Sequence, residues 1–198
     1  MISPMENTVY FLPNSDARQS QIYFYIPMGD YNREENVRRE AFNQYISGGF
    51  SGLIMNEIRE KNSMAYTAYG FASSRGLPGA QTYFSGYIGT QNDKAVDAID
   101  LYMKLLTDMP ERPGRIDNIK SYLRQSALTD HPDSRNLSLR IAEWKRRGYT
   151  DDPAKEELPL IDSLTFPDIV DYYQKNIKGK PIIIGVLGNP KDISIDAL

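Results

Sequence analysis

The sequence has no cysteine, and its 198 residues include a single histidine, His131. Without cysteine the chain can form no disulfide, no thiolate metal site and no cysteine nucleophile. His131 precedes a proline in a polar turn and has no second histidine with which to share a metal, so we expect it to be a surface residue. The side chains that most often hold a catalytic metal or act as a base at neutral pH are therefore almost absent, and Ser-His-Asp chemistry would rest entirely on His131.

Long apolar runs and an excess of basic residues are also missing. No apolar run approaches the ~20 residues that cross a bilayer, and the first residues lack the basic and apolar regions of a signal peptide. Lysine and arginine number 23 against 26 acidic residues, a net charge of -3 that provides no positive field for nucleic acid or an anionic membrane. We expect a soluble protein that binds neither, and the composition leaves cytoplasm and periplasm equally open.

The hydrophobic pattern predicts an α+β fold. Strands are expected at 9–12 and 21–26, and we expect these two to pair. Two more, at 66–73 and 80–88, are expected to form a hairpin. The last, at 181–187, is apolar on both faces and is therefore expected to be central in the sheet. Helices are expected at 32–46, 50–61, 115–129, 134–147 and 165–177. A further helix is expected to be capped by Thr90 and to run to residue 109. The segment 151–159 is expected to be a loop or a short irregular helix. This order predicts one domain, residues 1–198, built as a two-layer sandwich with helices over one face of a largely antiparallel sheet.

Several motifs have simple structural interpretations. The glycine-rich segment 48–52 follows a helix and lacks the lysine of a P-loop, so phosphate binding is disfavoured. Asp93, Asp97 and Asp100 are predicted to form a solvated helix face. The fourteen tyrosines are best explained as half-buried strand residues, some of which could line a peptide-binding wall.

The segment 48–66 is the most informative part of the chain, because it carries Arg59 near a helix end and Tyr66 at a strand start. Residue types alone favour a structural role for both, since arginine stabilises a helix C-terminus and tyrosine is common in strands. Strand alternation separates Tyr66 from Tyr69 and Phe71. If those two aromatic residues pack beneath the helices, Tyr66 lies on a shallow face of small residues that could admit a substrate chain.

The segment from Gly49 to Tyr66 resembles a conserved segment of the insulinase-like, pitrilysin-type metallopeptidases of family M16, a helix with Arg-Glu-Lys followed by a small residue and tyrosine. The helix at 164–173 and the strand at 181–190 are similar to the end of a domain in that family. In the family, two clamshell halves enclose a chamber, and the first half binds zinc through His-x-x-Glu-His. With one histidine, this chain resembles the second, non-zinc half.

The resemblance implies roles for two residues, which lie seven positions apart as in the family. Arg59 and Tyr66 would contact the substrate backbone near the scissile bond and stabilise the developing oxyanion, while zinc and a glutamate base in the partner half activate water. The chain itself would bind no cofactor. Its partners would be a catalytic domain bearing His-x-x-Glu-His and a peptide substrate.

Three hypotheses follow from the sequence. The first, which we favour, is the C-terminal substrate-binding half of a zinc metalloendopeptidase, either excised from a longer peptidase or encoded as a separate subunit, with the isolated chain inactive. The second is a noncatalytic M16-like structural or peptide-docking subunit. The third is a stand-alone α+β binding module, which would require the match at Arg59 and Tyr66 to be accidental.

Overall fold

A computed structural model describes residues 4–130, 134–194 and 197–198, and His131 lies outside these residues. One sheet has the strand order β1-β5-β2-β4-β3, with β1 and β5 parallel and the other neighbours antiparallel. The strands are β1 (Thr8–Pro13), β2 (Ser20–Asp30), β3 (Thr67–Ser73), β4 (Gln81–Thr90) and β5 (Ile183–Gly188). The predicted α+β class, the hairpin of β3 and β4, and the interior position of β5 are confirmed.

The helices follow the predicted order. The α-helices are α1 (Asn36–Ser47), α2 (Ala95–Thr107), α3 (Ile116–Thr129), α4 (Leu137–Arg146), α5 (Pro153–Ser163) and α6 (Phe166–Asn176), and a π-helix spans Met55–Lys61. Helix α6 begins with a capping box between Thr165 and Asp168. Within the described ranges no helix combines the length and the apolarity needed to cross a bilayer.

The core lies between the helices and one face of the sheet. Alternate residues of β2 and β4 point into it, among them the fully buried Ile22, Phe24, Phe84 and Ile88. Helix α1 packs on β3 and α6, α2 packs on β2 and β4, and α3 and α5 pack further out against α1. This arrangement is the two-layer sandwich that the hydrophobic pattern predicts.

The opposite face of the sheet is open and aromatic. Tyr23, Tyr69 and Tyr87 lie side by side across three strands, with ring centroids 5.1 Å apart for Tyr23–Tyr87 and 5.3 Å for Tyr69–Tyr87. Asp30, at the end of β2, is the one charged residue in the five described strands. Six of the fourteen tyrosines lie in the strands, and this uncharged sheet face carries the Tyr23, Tyr69 and Tyr87 cluster.

Strand β3 buries the face that the sequence leads us to expect to be open. In that expectation Tyr69 and Phe71 pack beneath the helices and the small residues form a shallow open face. Ala68 and Ala72 are buried under the helices, whereas Tyr69 and Phe71 are exposed on the open face. Only small residues fit beneath the helices, because α1 packs directly on β3 and the Tyr102 side chain of α2 reaches under it. The idea of a shallow substrate wall on the small-residue face of β3 is therefore wrong.

Two glycines make room for the Tyr102 side chain beneath the sheet. Gly70 and Gly86 face each other across β3 and β4, and the buried Tyr102 of α2 inserts its hydroxyl between them. The Tyr102 hydroxyl donates a hydrogen bond to the Tyr69 carbonyl oxygen at 2.9 Å, and its ring stacks on Phe24. This glycine notch fixes α2 against the hairpin.

The outer edge of β3 is covered by side chains of α1. Asn43 exchanges two hydrogen bonds with the Ala72 backbone, at 2.7 and 3.0 Å, and the Ser47 hydroxyl accepts from the Gly70 N–H at 2.8 Å. An uncovered edge would expose unpaired backbone groups. Helix α1 therefore holds the strand that follows Tyr66 in place.

One local prediction is wrong, and another is only partly right. Strand β1 pairs with β5 rather than with β2, because β5 is apolar on both sides and inserts between them, where both of its edges are hydrogen-bonded. Of the two alternatives expected for 151–159, the loop is wrong and a helix is present, although it is a regular helix that begins at Pro153 and continues through Pro159 to Ser163. Proline fits the first helical position, and packing of α5 against α3 compensates for the hydrogen bond that Pro159 removes.

Candidate functional site

A cleft at one end of the sheet contains both residues that the sequence singled out. Its volume is ≈ 350 Å³, and we call it the Arg59–Tyr66 cleft. The lining residues are Arg59, Glu60, Ser63, Ala65, Tyr66, Thr90, Gln91 and Lys94. They come from the end of the π-helix, the loop before β3, and the connection from β4 to α2.

The π-helix presents Arg59 at its last turn. Ile58 is fully buried beside it, which fixes the helix against the core and directs Arg59 outward, where its side chain is 45% exposed. The Arg59 carbonyl accepts hydrogen bonds from the backbone N–H groups of Asn62 and Ser63, and Ser63 has a φ of 51°. A residue in the left-handed region commonly ends a helix, and π-helical turns frequently occur at functional sites.

Tyr66 is positioned by β4. Its backbone N–H donates to the Gly89 carbonyl oxygen at 2.9 Å, which extends the β3–β4 ladder by one residue. The side chain is 53% exposed, and its hydroxyl oxygen accepts a hydrogen bond from Gln91 Nε2 at 3.1 Å. Because a phenol can accept and donate at once, the hydroxyl proton of Tyr66 remains available to a ligand in the cleft.

Thr90 closes the cleft rather than starting a helix. Its hydroxyl donates to the Met64 carbonyl oxygen, so it ties the loop before Tyr66 to the end of β4. Helix α2 instead begins at Ala95 after a 3₁₀ turn, Asn92–Lys94. The predicted cap at Thr90 is therefore wrong, because the same hydroxyl is used in a tertiary contact. Asp93, Asp97 and Asp100 are exposed, as predicted.

A salt-bridge cluster anchors the helix that carries Arg59. Glu57 accepts hydrogen bonds from Lys61 at 2.9 Å and from Arg112, which lies between α2 and α3, and its side chain is only 14% exposed. Burial acts to raise the pKa of Glu57, but the hydrogen bonds from Lys61 and Arg112 outweigh it and hold the pKa below its ordinary value of 4.5.

The anchoring by Glu57 gives a pH-dependent prediction. Glu57→Gln should lower the free energy of unfolding by about 1–2 kcal/mol at neutral pH, since it removes a charged acceptor from two partners. Because the folded pKa is depressed, this stabilisation is present above 4.5 and is lost as the pH falls through the folded value. Urea unfolding measured from neutral to acidic pH should show the free energies of unfolding of the original chain and of Glu57→Gln becoming equal as the pH falls.

Glu60→Gln on the same helix is the matched control. The Glu60 side chain is 54% exposed, and its carboxylate is 3.7 Å from Arg59 Nε, so its replacement should change stability by less than about 0.5 kcal/mol. Equal effects of the two substitutions at neutral pH would show that Glu57 does not anchor the helix.

Gln91, Lys94 and Glu57 were not identified from the sequence. Gln91 and Lys94 follow β4 and come next to Tyr66 only through strand pairing, and the Arg112 partner of Glu57 is remote in sequence. No local pattern marks such contacts. Among the residues that the structure describes, no group of three or more histidine, cysteine, aspartate or glutamate side chains is arranged to hold a metal ion.

A protein-family model described as "Peptidase M16 inactive domain" matches residues 4–114, a range that includes the whole cleft. No curated protein matches the sequence significantly. Solved structures do match. A peptidase M16 inactive domain from Pseudomonas fluorescens has a TM-score of 0.78 and 15% sequence identity, with 98% of this chain and 47% of that chain covered.

Two further structures illustrate where the fold is found. The periplasmic protease PqqL from Escherichia coli has a TM-score of 0.71 and 15% identity, with 94% of this chain and 21% of that chain covered. A chain of complex III2 from Candida albicans has a TM-score of 0.69 and 13% identity, with 94% of this chain and 46% of that chain covered. At these identities the structures establish the fold, and this chain spans less than half the length of each.

Proposed function

Since the chain belongs to the family of the peptidase M16 inactive domain, we propose that it is the substrate-contacting, non-zinc half of a zinc-dependent peptidase. Family membership implies a catalytic M16 domain as its partner. The observation that carries the proposal is that Arg59 and Tyr66 line one open cleft, each with hydrogen-bond donors available to a ligand.

The two side chains suit a peptide carbonyl group. The Tyr66 hydroxyl, held by Gln91, donates one proton, and the Arg59 guanidinium offers several N–H donors and a fixed positive charge. Both would strengthen their hydrogen bonds as the carbonyl oxygen gains negative charge during attack. Such donors lower a barrier by about 3–4 kcal/mol each when water is excluded.

The cleft of the isolated chain is open, so its donors face water. Arg59 is 45% exposed and Tyr66 is 53% exposed. Closure of a partner domain over the cleft would remove this water and make the donors effective, so catalysis would depend on assembly. The described residues of this chain do not provide a zinc site, and a partner's zinc would supply the Lewis acid that activates water.

The test compares the chain alone with the chain assembled with its catalytic domain. The isolated chain should take up no stoichiometric zinc by metal analysis and should cleave no quenched fluorescent peptide. Adding the His-x-x-Glu-His domain encoded with it should produce zinc-dependent cleavage. Stoichiometric zinc on the isolated chain, or proteolysis that persists after metal removal, would contradict the proposal. Peptide binding without cleavage by the assembly would indicate a docking subunit instead.

A further inference from the structure

The charges in the Arg59–Tyr66 cleft do not balance. Arg59 and Lys94 are positive, and Glu60 is the one acidic residue in the lining. The cleft therefore carries a positive charge in a chain whose net charge is -3. A local charge opposite in sign to that of the whole molecule favours an anionic group in the cleft.

Glu60 compensates Arg59 rather than Lys94. The Glu60 carboxylate lies 3.7 Å from Arg59 Nε, a distance that keeps the charges close without a hydrogen bond. Lys94 is half-buried, and its ammonium group donates to the Ser63 carbonyl oxygen at 3.4 Å. Within residues 4–130, 134–194 and 197–198, no acidic side chain forms an ion pair with Lys94.

The fold gains little from a lysine at this position. Lys94 is the last residue of the 3₁₀ turn that leads directly into α2, where the helix dipole disfavours a positive charge. A residue that departs from a local rule without a structural benefit is a candidate for function. The positive charge of Lys94 is therefore better explained by what enters the cleft.

We propose that Lys94 is a specificity-determining residue, and that the Arg59–Tyr66 cleft prefers peptides that carry a carboxylate. The proposal rests on the proposed function, in which Arg59 and Tyr66 engage the peptide backbone. That assignment leaves Lys94 as the cation for a neighbouring substrate group. An ammonium group on a flexible side chain pairs readily with a carboxylate, either of an acidic side chain or of a free peptide C-terminus.

Binding of three short peptides to the purified chain tests this specificity. The first is acetylated and amidated Ala-Ala-Glu-Ala-Ala, the second has glutamine in place of glutamate, and the third is the glutamine peptide with a free C-terminus. Nitrogen-15 chemical-shift titrations at low ionic strength give the three affinities. We expect a carboxylate-bearing peptide to bind about fivefold more tightly than the neutral peptide, which corresponds to one partly exposed ion pair. The first and third peptides distinguish the two carboxylate sources.

Lys94→Met should abolish this preference, and Lys94→Arg should retain it. Lys104→Met is the matched control, because Lys104 is an exposed lysine at the other end of α2. Circular dichroism would confirm that each variant is folded. Equal affinities for all three peptides, or a preference that survives in Lys94→Met, would overturn the role of Lys94.

Binding of the neutral peptide separates this proposal from the proposed function. If the neutral peptide binds and its affinity falls in Arg59→Ala, the cleft holds the peptide backbone whatever the result for Lys94. If no peptide binds at millimolar concentration, or if Arg59→Ala has no effect, the substrate-contacting role of the cleft is itself contradicted, and the specificity proposal with it.

Discussion

Replacement of Tyr66 by phenylalanine should lower the turnover of the assembled peptidase by about 10²–10³-fold, the usual effect of removing one oxyanion donor. The substitution deletes only the hydroxyl group, which accepts one hydrogen bond from Gln91 and offers its proton to the cleft. Because that donor is expected to act mainly as charge develops, kcat should fall much more than KM rises. Steady-state kinetics with a fluorogenic peptide and saturating zinc would measure both constants.

The Tyr66→Phe variant should remain as stable as the original chain, within about 0.5 kcal/mol, since the side chain is largely exposed. Tyr122→Phe is the matched control, because Tyr122 is 55% exposed on α3 and does not line the cleft. Turnover should be unaffected in that variant. Unchanged turnover in Tyr66→Phe, or an equal loss in both variants, would remove Tyr66 from the mechanism.

Gly86→Ala should destabilise the fold by about 3 kcal/mol, as expected when a methyl group is forced into a closely packed core. A Cβ atom at this position would lie 2.2 Å from the Tyr102 hydroxyl oxygen and 2.8 Å from the carbon that bears it. Tyr102 is fully buried and its ring stacks on Phe24 with centroids 4.1 Å apart, so a shift of its side chain would disturb the core. Urea unfolding followed by circular dichroism would measure the loss.

Gly185→Ala is the matched control for this substitution. Gly185 lies in β5 of the same sheet, and a Cβ atom there would meet nothing within 4 Å. Its replacement should be neutral or slightly stabilising, because alanine restricts the unfolded chain more than glycine does. Combining Gly86→Ala with Tyr102→Phe should recover part of the stability, since Tyr102→Phe removes the hydroxyl oxygen that would lie closest to the new Cβ atom. Equal effects of the two glycine substitutions would show that the notch does not limit packing.

The glycine notch also connects stability with the cleft. It holds α2 against β3 and β4, and the residues that precede β3 and those that precede α2 form two walls of the cleft. A shift of α2 would therefore move Lys94 and Gln91 relative to Tyr66. Variants at Gly86 are expected to lose peptide binding together with stability, whereas variants at Tyr66 should affect function alone.

Local sequence was sufficient for most of the secondary structure. The hairpin of β3 and β4 follows from two β-prone runs joined by glycine and proline, and the capping box of α6 from Thr165 and Asp168. These features depend on residues close in sequence. The resemblance to the M16 peptidases, carried by the segment that ends at Tyr66, likewise came from the sequence and is confirmed by the family match.

Local sequence was insufficient wherever packing between distant segments decided the outcome. The apolar pattern of β5 indicated a central strand, but not that it would separate β1 from β2. The two faces of β3 were distinguishable, but which one is buried depended on the space left by α1 and α2. Pro159 suggested an irregular segment, yet packing against α3 keeps α5 helical.

The sequence by itself therefore determined the order of the helices and strands, the family, and the two residues, Arg59 and Tyr66, on which a function could be proposed. Only the tertiary structure decided that both line one cleft, and that Gln91 and Lys94 share it with them. The physical reason is that helix and strand periodicity depend on neighbouring residues. A binding cleft depends on the pairing of β3 with β4 and on the close approach of α2, which join residues that are distant in the chain.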